Sequence, residues 1–155
     1  MTEIQYDSRK DTQDHIDKVA SYLEMFAGML HERGENHDAS KLLPPEKEYF
    51  DKYTQRLRDL AFGSDEYRQN IEDLKPALAH HYANNSHHPQ YYENGVNGMN
   101  LLDLVEMFFD WKAAGERGKE GNIYKSIDIN AERYGISKQL RQILINTAQH
   151  LGYDK

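Results

Sequence analysis

From Asp11 to Arg33 the apolar residues Ile16, Val19, Ala20, Leu23, Phe26, Ala27 and Leu30 recur at i, i+3, i+4, i+7 spacing. That is the signature of one face of a half-buried α-helix, and it sets the class of fold this chain can reach. Gly34 is a natural residue to end the helix. No segment of the chain alternates apolar and polar residues with the period of two that a strand needs.

The rest divides in the same way. Pro45 suits the first turn of a second helix, reaching to about Ala61. Ser64 follows a break at Gly63 and can cap a helix to about Leu74, with another from Lys75 to Asn84. Asn85 to Gly98 is irregular, with the turn dipeptides Asn94-Gly95 and Asn97-Gly98. A strongly apolar helix then runs from Asn100 to about Ala114, followed by a Gly-rich charged loop from Gly115 to Gly121. Helices at about Tyr124–Arg133 and Lys138–Leu151, the last capped by Ser137, close the chain and look like scaffold. The expectation is an all-α protein, one compact domain over residues 1–155 with about six to seven helices.

Composition narrows the chemistry. With no cysteine there is no disulfide, thiolate zinc site or cysteine nucleophile, so any metal must be held by His, Asp, Glu or water. The formal charge of −7 argues against binding a nucleic-acid duplex through its backbone. No apolar run is long enough for a membrane span, and the first residues lack the basic and apolar regions of a signal peptide. A cytoplasmic protein with no membrane partner is the default, and a homo-oligomer is left open.

The chemistry-bearing residues cluster. His37-Asp38 offers an imidazole nitrogen and a carboxylate to one cation, a mix suited to Mn, Fe, Co, Ni or Zn. Lys41, three residues on, is either surface charge or a point-charge anchor for phosphate. His15 borders the apolar face of the first helix and, taken alone, would be a packed histidine satisfied by a backbone carbonyl. His80, His81, His87 and His88 place four of the chain's eight histidines within nine residues, a density that packing does not explain. On a helix His80 and His81 point about 100° apart, so one of them faces a site. His87 and His88 fall in the loop, within reach of a second metal or a substrate. On the apolar helix Asp103 and Asp110 share a face with Glu106 beside them, and such carboxylates need either basic partners or a cation. His31 and His150 read as surface positions.

The order of these pieces, a His on a first long helix, His-Asp-x-x-Lys, a His-His pair and a late Asp in Leu-Asp-Leu-Val-Glu, resembles the HD-domain superfamily of metal-dependent phosphohydrolases. The phrases His-His-Pro-Gln-Tyr-Tyr-Glu-Asn-Gly and Leu-Leu-Asp-Leu-Val-Glu-Met-Phe-Phe-Asp-Trp-Lys are similar to those of short HD-like proteins from bacteria and phages. The resemblance covers about His15 to Thr147 and implies an HD-like helical bundle. It implies one or two divalent transition-metal ions on His15, His37, Asp38 and Asp103, with His81 and His88 as further ligands. Relatives usually space those extra histidines farther apart, so one metal and two both stay open, as does Asp110 in place of Asp103. The implied activity is hydrolysis of a small phosphorylated substrate, a nucleotide first. Lys41, His80 and His87 would contact it, and Lys41, Glu106 and Asp110 would serve catalysis. An HD-like di-iron oxygenase and a non-catalytic nucleotide- or partner-binding module are the alternatives.

Overall fold

The structure, a computed structural model, describes residues 6–60, 64–117 and 121–153. It is all-α: six α-helices, short 3₁₀ turns and no strand among the described residues. No helix among them is long and apolar enough to cross a membrane. The chain divides into two compact units, Met1–His37 and Asp38–Lys155, a finer division than the one domain read from the sequence.

The first unit is built on α1, Arg9–Asn36. Pairs one turn apart support it, among them Lys10 Nζ to Asp14 (2.7 Å) and Gln13 Nε2 to Asp17 (2.7 Å), each contributing a few tenths of a kcal/mol. The helix runs past Gly34, which the sequence marked as its end. Asn36 Nδ2 donates to the Glu32 carbonyl (2.9 Å) and the His37 N–H reaches the Gly34 carbonyl (3.4 Å), so side chain and backbone close the last turn without a left-handed glycine. The left-handed residue comes later, at Asp38. The apolar face is where sequence predicts it, but the expected half-burial holds only for Phe26 and Leu30. Ile16, Val19 and Leu23 are 52 %, 41 % and 65 % exposed. Periodicity marks which face is apolar; only a covering surface buries it.

In the second unit α2 (Glu46–Asp59) packs on α3 (Asp65–Asn84) through Tyr53, Leu74 and Ala77. The Ser64 hydroxyl caps α3, accepting the Tyr67 N–H (3.1 Å). Where the sequence predicts two helices meeting at Lys75, α3 is continuous through Pro76. Proline removes one ladder bond, and Leu74 and Ala77, buried on either side of it, hold the helix together. The expected end of α2 at Ala61 lies outside the described residues.

The larger core joins α4 (Leu101–Glu116), α5 (Ile123–Tyr134) and α6 (Lys138–His150) through Met107, Phe108, Trp111, Ile123, Ile127, Leu144 and Ala148. Asn122 and Ser137 cap α5 and α6, and Gly135 at φ 62° ends α5 in the left-handed conformation a side chain would strain. Of the scaffold residues expected in the core, Ile127 and Leu144 are buried, whereas Ile129 and Ile143 are 61 % and 51 % exposed.

Candidate metal centre

Four ligand-type residues, Asp38, His81, His87 and His88, lie within Asp38–Lys155, and their arrangement begins at a backbone reversal. Asp38 sits at φ 55°, ψ 17°, a left-handed conformation that a short polar side chain tolerates better than most. It opens the 3₁₀ turn Ala39–Leu42, and Lys41 Nζ donates back to Asp38 Oδ2 (2.6 Å). The other carboxylate oxygen, Oδ1, is 3.1 Å from His81 Nε2 and 3.4 Å from His87 Nε2. Burial works to raise the Asp38 pKa, but hydrogen bonds from His81, His87 and Lys41 outweigh it and hold the carboxyl ionised, well below its usual range.

His81 comes from the last turn of α3 and is 1 % exposed. Its Nδ1 is 2.9 Å from Glu46 Oε2, and its Nε2 is 2.9 Å from His88 Nε2. Glu46, the first residue of α2, is fully buried and also accepts from Ser40 Oγ (3.0 Å) and His80 Nδ1 (2.7 Å). Burial pushes its pKa up, but the bonds from His80, Ser40 and His81 prevail and lower it. The choice within the pair is therefore settled by direction: His81 turns inward and the exposed His80 turns outward, with one carboxylate between them.

The loop after α3 is held by a register of carboxylates on α4. Asp103 Oδ1 accepts from Ser86 Oγ (2.6 Å), Glu106 Oε1 lies 2.9 Å from His87 Nδ1, and the Asp110 charge acts on His88. Positions 103, 106 and 110 share a helix face, so consecutive loop residues 86, 87 and 88 meet successive carboxylates. Tyr92 OH adds a second bond to Asp103 (2.6 Å). Gly98 lets the loop close over Tyr92, since a Cβ there would collide with Asn94 Oδ1 and stand 2.8 Å from Tyr92 Cβ.

This register corrects the role expected of Asp103. Its carboxylate is fully buried in a capping box: Oδ2 accepts the Asn100 N–H (3.0 Å), while the Asn100 side chain accepts the N–H groups of Leu102 and Asp103. Ser86 and Tyr92 complete its shell, so it fastens the loop to α4 and is absent from the cation-capable groups found among the described residues.

One ligand-capable atom from each of Asp38, His81, His87 and His88 lies within 4.8 Å of the others. A carboxylate only accepts hydrogen bonds, so the Nδ1 of His81 facing Glu46 and that of His87 facing Glu106 carry the proton. Their Nε2 atoms then face Asp38 Oδ1, where a bound cation would take the place of the protons shared with that oxygen. Burial, then the neighbouring His87 and His81, push the His88 pKa down to about 3, against the pull of Asp110 and Asp38, so that its imidazole is neutral near pH 7. Ring nitrogens grouped in this way around a carboxylate can share a cation in place of protons. Tetrahedral ligands at zinc-like bond lengths stand about 3.4 Å apart, and contacts of 2.9, 3.1 and 3.4 Å within the group fall close to that. The donor set, three imidazoles and a carboxylate with two rings steadied by outer carboxylates, fits a divalent transition metal.

Of the residues named from sequence, Asp38, His81 and His88 converge as ligand-type groups. His87, expected at a substrate, joins them. Glu106 holds His87 and Asp110 sits near His88. His15 is exposed on α1 and His37 is half-buried at its C-terminal end, both in the Met1–His37 unit. Sequence reasoning missed Glu46, because a glutamate in a helix first turn is commonplace; Ser86 and Tyr92 were equally silent.

Comparison with curated proteins and with solved structures found no match to either. A family model described as a family of unknown function, DUF5662, matches residues 4–150. The chain therefore belongs to the DUF5662 family.

Proposed function

We propose that Asp38, His81, His87 and His88 hold a divalent transition-metal ion, and that the protein is a metal-dependent hydrolase of small phosphate esters, with nucleotides the first class to test. The observation that carries the metal is the paired outer shell: Glu46 and Glu106 fix the protonated edges of His81 and His87 so that their other edges face Asp38. The resemblance of His-Asp-x-x-Lys and the late acidic helix to HD-type phosphohydrolases supports the reaction class. The ion, when bound, supplies Lewis acidity toward a phosphoryl oxygen and brings the pKa of a water toward neutrality.

The residues themselves divide the remaining work. Lys41 is 34 % exposed at its side chain and stands beside Asp38, placing a positive charge where an incoming phosphate would arrive. Asp110 is half-buried and acts electrostatically on His88, a position suited to taking a proton from a water. Glu106 serves through His87, which removes it from direct acid–base work.

Elemental analysis of purified protein, joined to a hydrolysis panel of nucleoside mono- and triphosphates with Mn, Co, Ni and Mg, tests both halves. Bound metal with phosphate release that is lost in Asp38→Ala supports the reading. Protein that takes up no metal and stays inert throughout overturns it, and iron with oxygen-dependent turnover would move the site to the oxygenase class.

A further inference from the structure

Beside His88 stands a group of hydrogen-bond donors that the proposed chemistry leaves unused. Tyr82, near the C-terminal end of α3, sets its ring 5.0 Å from that of His88, edge to face. The side chain is half-buried, and its hydroxyl has no hydrogen-bond partner among the described residues. From the loop, Gln90 Nε2 donates to Tyr134 OH (3.2 Å), only two residues past His88. Tyr134 is steadied by stacking on Trp111, with ring centroids 6.5 Å apart. The Arg133 guanidinium stands 5.9 Å over the Tyr134 ring, and Tyr134, Arg133 and Asp110 all act electrostatically on the Tyr82 hydroxyl. Two routes, one through a ring and one through a loop side chain, lead from His88 to the same guanidinium.

Arg133 is exposed and has no carboxylate partner among the described residues. A cation suits the last turn of a helix, but α5 does not depend on this one to end. The carbonyls of Ala131 and Glu132 already accept the N–H groups of Ile136 (2.9 Å) and Gly135 (3.4 Å). Lys41, on the Asp38 side of the site, lies 2.6 Å from Asp38 Oδ2 and is partly neutralised by it. A chain of formal charge −7, with Asp110 acting on His88, repels an anion unless a cation offsets that field. The guanidinium fork matches phosphate oxygens in geometry and charge. A phenol keeps its proton at neutral pH and can donate to the same group.

We infer that Arg133, together with the Tyr82 hydroxyl, forms an anion subsite beside His88 that anchors a phosphate oxyanion of the substrate. The identity of the substrate rests on the hydrolase reading above, whereas the anion subsite rests on this geometry alone.

Inorganic pyrophosphate titrated by calorimetry into the chelator-treated full chain reads the subsite without metal or turnover. Binding is expected, and Arg133→Ala should weaken it about tenfold or more. Tyr82→Phe, which keeps the ring against His88, should weaken it several-fold. Arg133→Lys should fall between the unaltered chain and Arg133→Ala, because lysine keeps the charge and loses the fork. In the nucleotide panel with metal, Arg133→Ala should raise KM by more than it lowers kcat. An unaltered chain that binds no pyrophosphate, or one whose affinity Arg133→Ala leaves within about twofold, overturns the subsite even if the protein holds metal and hydrolyses nucleotides. Conversely, a chain that takes up no metal and hydrolyses nothing, yet binds pyrophosphate through Arg133, keeps the subsite and removes the hydrolase reading.

Discussion

Glu46 Oε2 lies 2.9 Å from His81 Nδ1, and both residues are all but sealed from water, at 0 % and 1 % exposed. A buried carboxylate is costly unless hydrogen-bonded or paired; here it has three donors, and it orients His81 so that Nε2 faces Asp38. Replacing it by Glu46→Gln keeps the shape but lets the amide donate to His81 Nδ1, turning the proton to the other edge. Metal affinity should fall about 10- to 100-fold, read by competition against a chelating dye. A change below twofold would mean that Glu46 only packs.

Asp103 and Asp38 should separate cleanly. Asp103→Ala removes a cap and the anchors of Ser86 and Tyr92, so it should cost about 2–3 kcal/mol in urea unfolding while the folded fraction keeps its metal. Asp38→Asn, which keeps a short polar side chain suited to the left-handed backbone, should do the reverse, costing less stability than Asp103→Ala without metal and abolishing metal uptake. Loss of metal from folded Asp103→Ala protein would restore Asp103 as a ligand.

Tyr92 gives an alkaline signature. Burial, then its hydrogen bond to Asp103 and that carboxylate's charge, raise its pKa above the ordinary value of 10.0. A raised pKa means the folded state keeps a proton that the unfolded state gives up. The contribution to stability is therefore complete below about pH 10 and is lost as pH rises through the folded-state pKa. Ultraviolet titration should show a late-ionising tyrosine that disappears in Tyr92→Phe, and the variant's stability should fall less steeply above pH 10.

Gly98→Ala forces a methyl group against Asn94 and Tyr92. The loop must shift, costing about 1–3 kcal/mol, visible as a lower melting temperature. An unchanged melting temperature would show that the loop yields freely and does not set the position of Tyr92.

What the sequence made legible follows from what each signal reports. Helical periodicity and caps such as Ser64 and Ser137 are local, and they located most helices. The break read at Lys75 is absent because Leu74 and Ala77, packed on α2, carry α3 through Pro76. Asp38, His81 and His88 were visible as metal-capable types at suggestive spacing. Asp103 was not distinguishable from a ligand, because a capping box and a ligand both place an acid at a helix start. Glu46 was invisible, since its meaning comes from His80 and His81, 34 and 35 residues away. The exposed stripe of α1 shows the remaining limit: a pattern names the apolar face without naming what covers it.

Titration with Co²⁺ tests the central claim most directly, because its visible absorption reports both binding and the ligand field. The account predicts saturation at a single site per chain, with bands of a nitrogen- and oxygen-ligated four- or five-coordinate ion, abolished in His81→Ala and in His88→Ala. An absorption spectrum that remains that of the hydrated ion, or one unchanged by both substitutions, would contradict it.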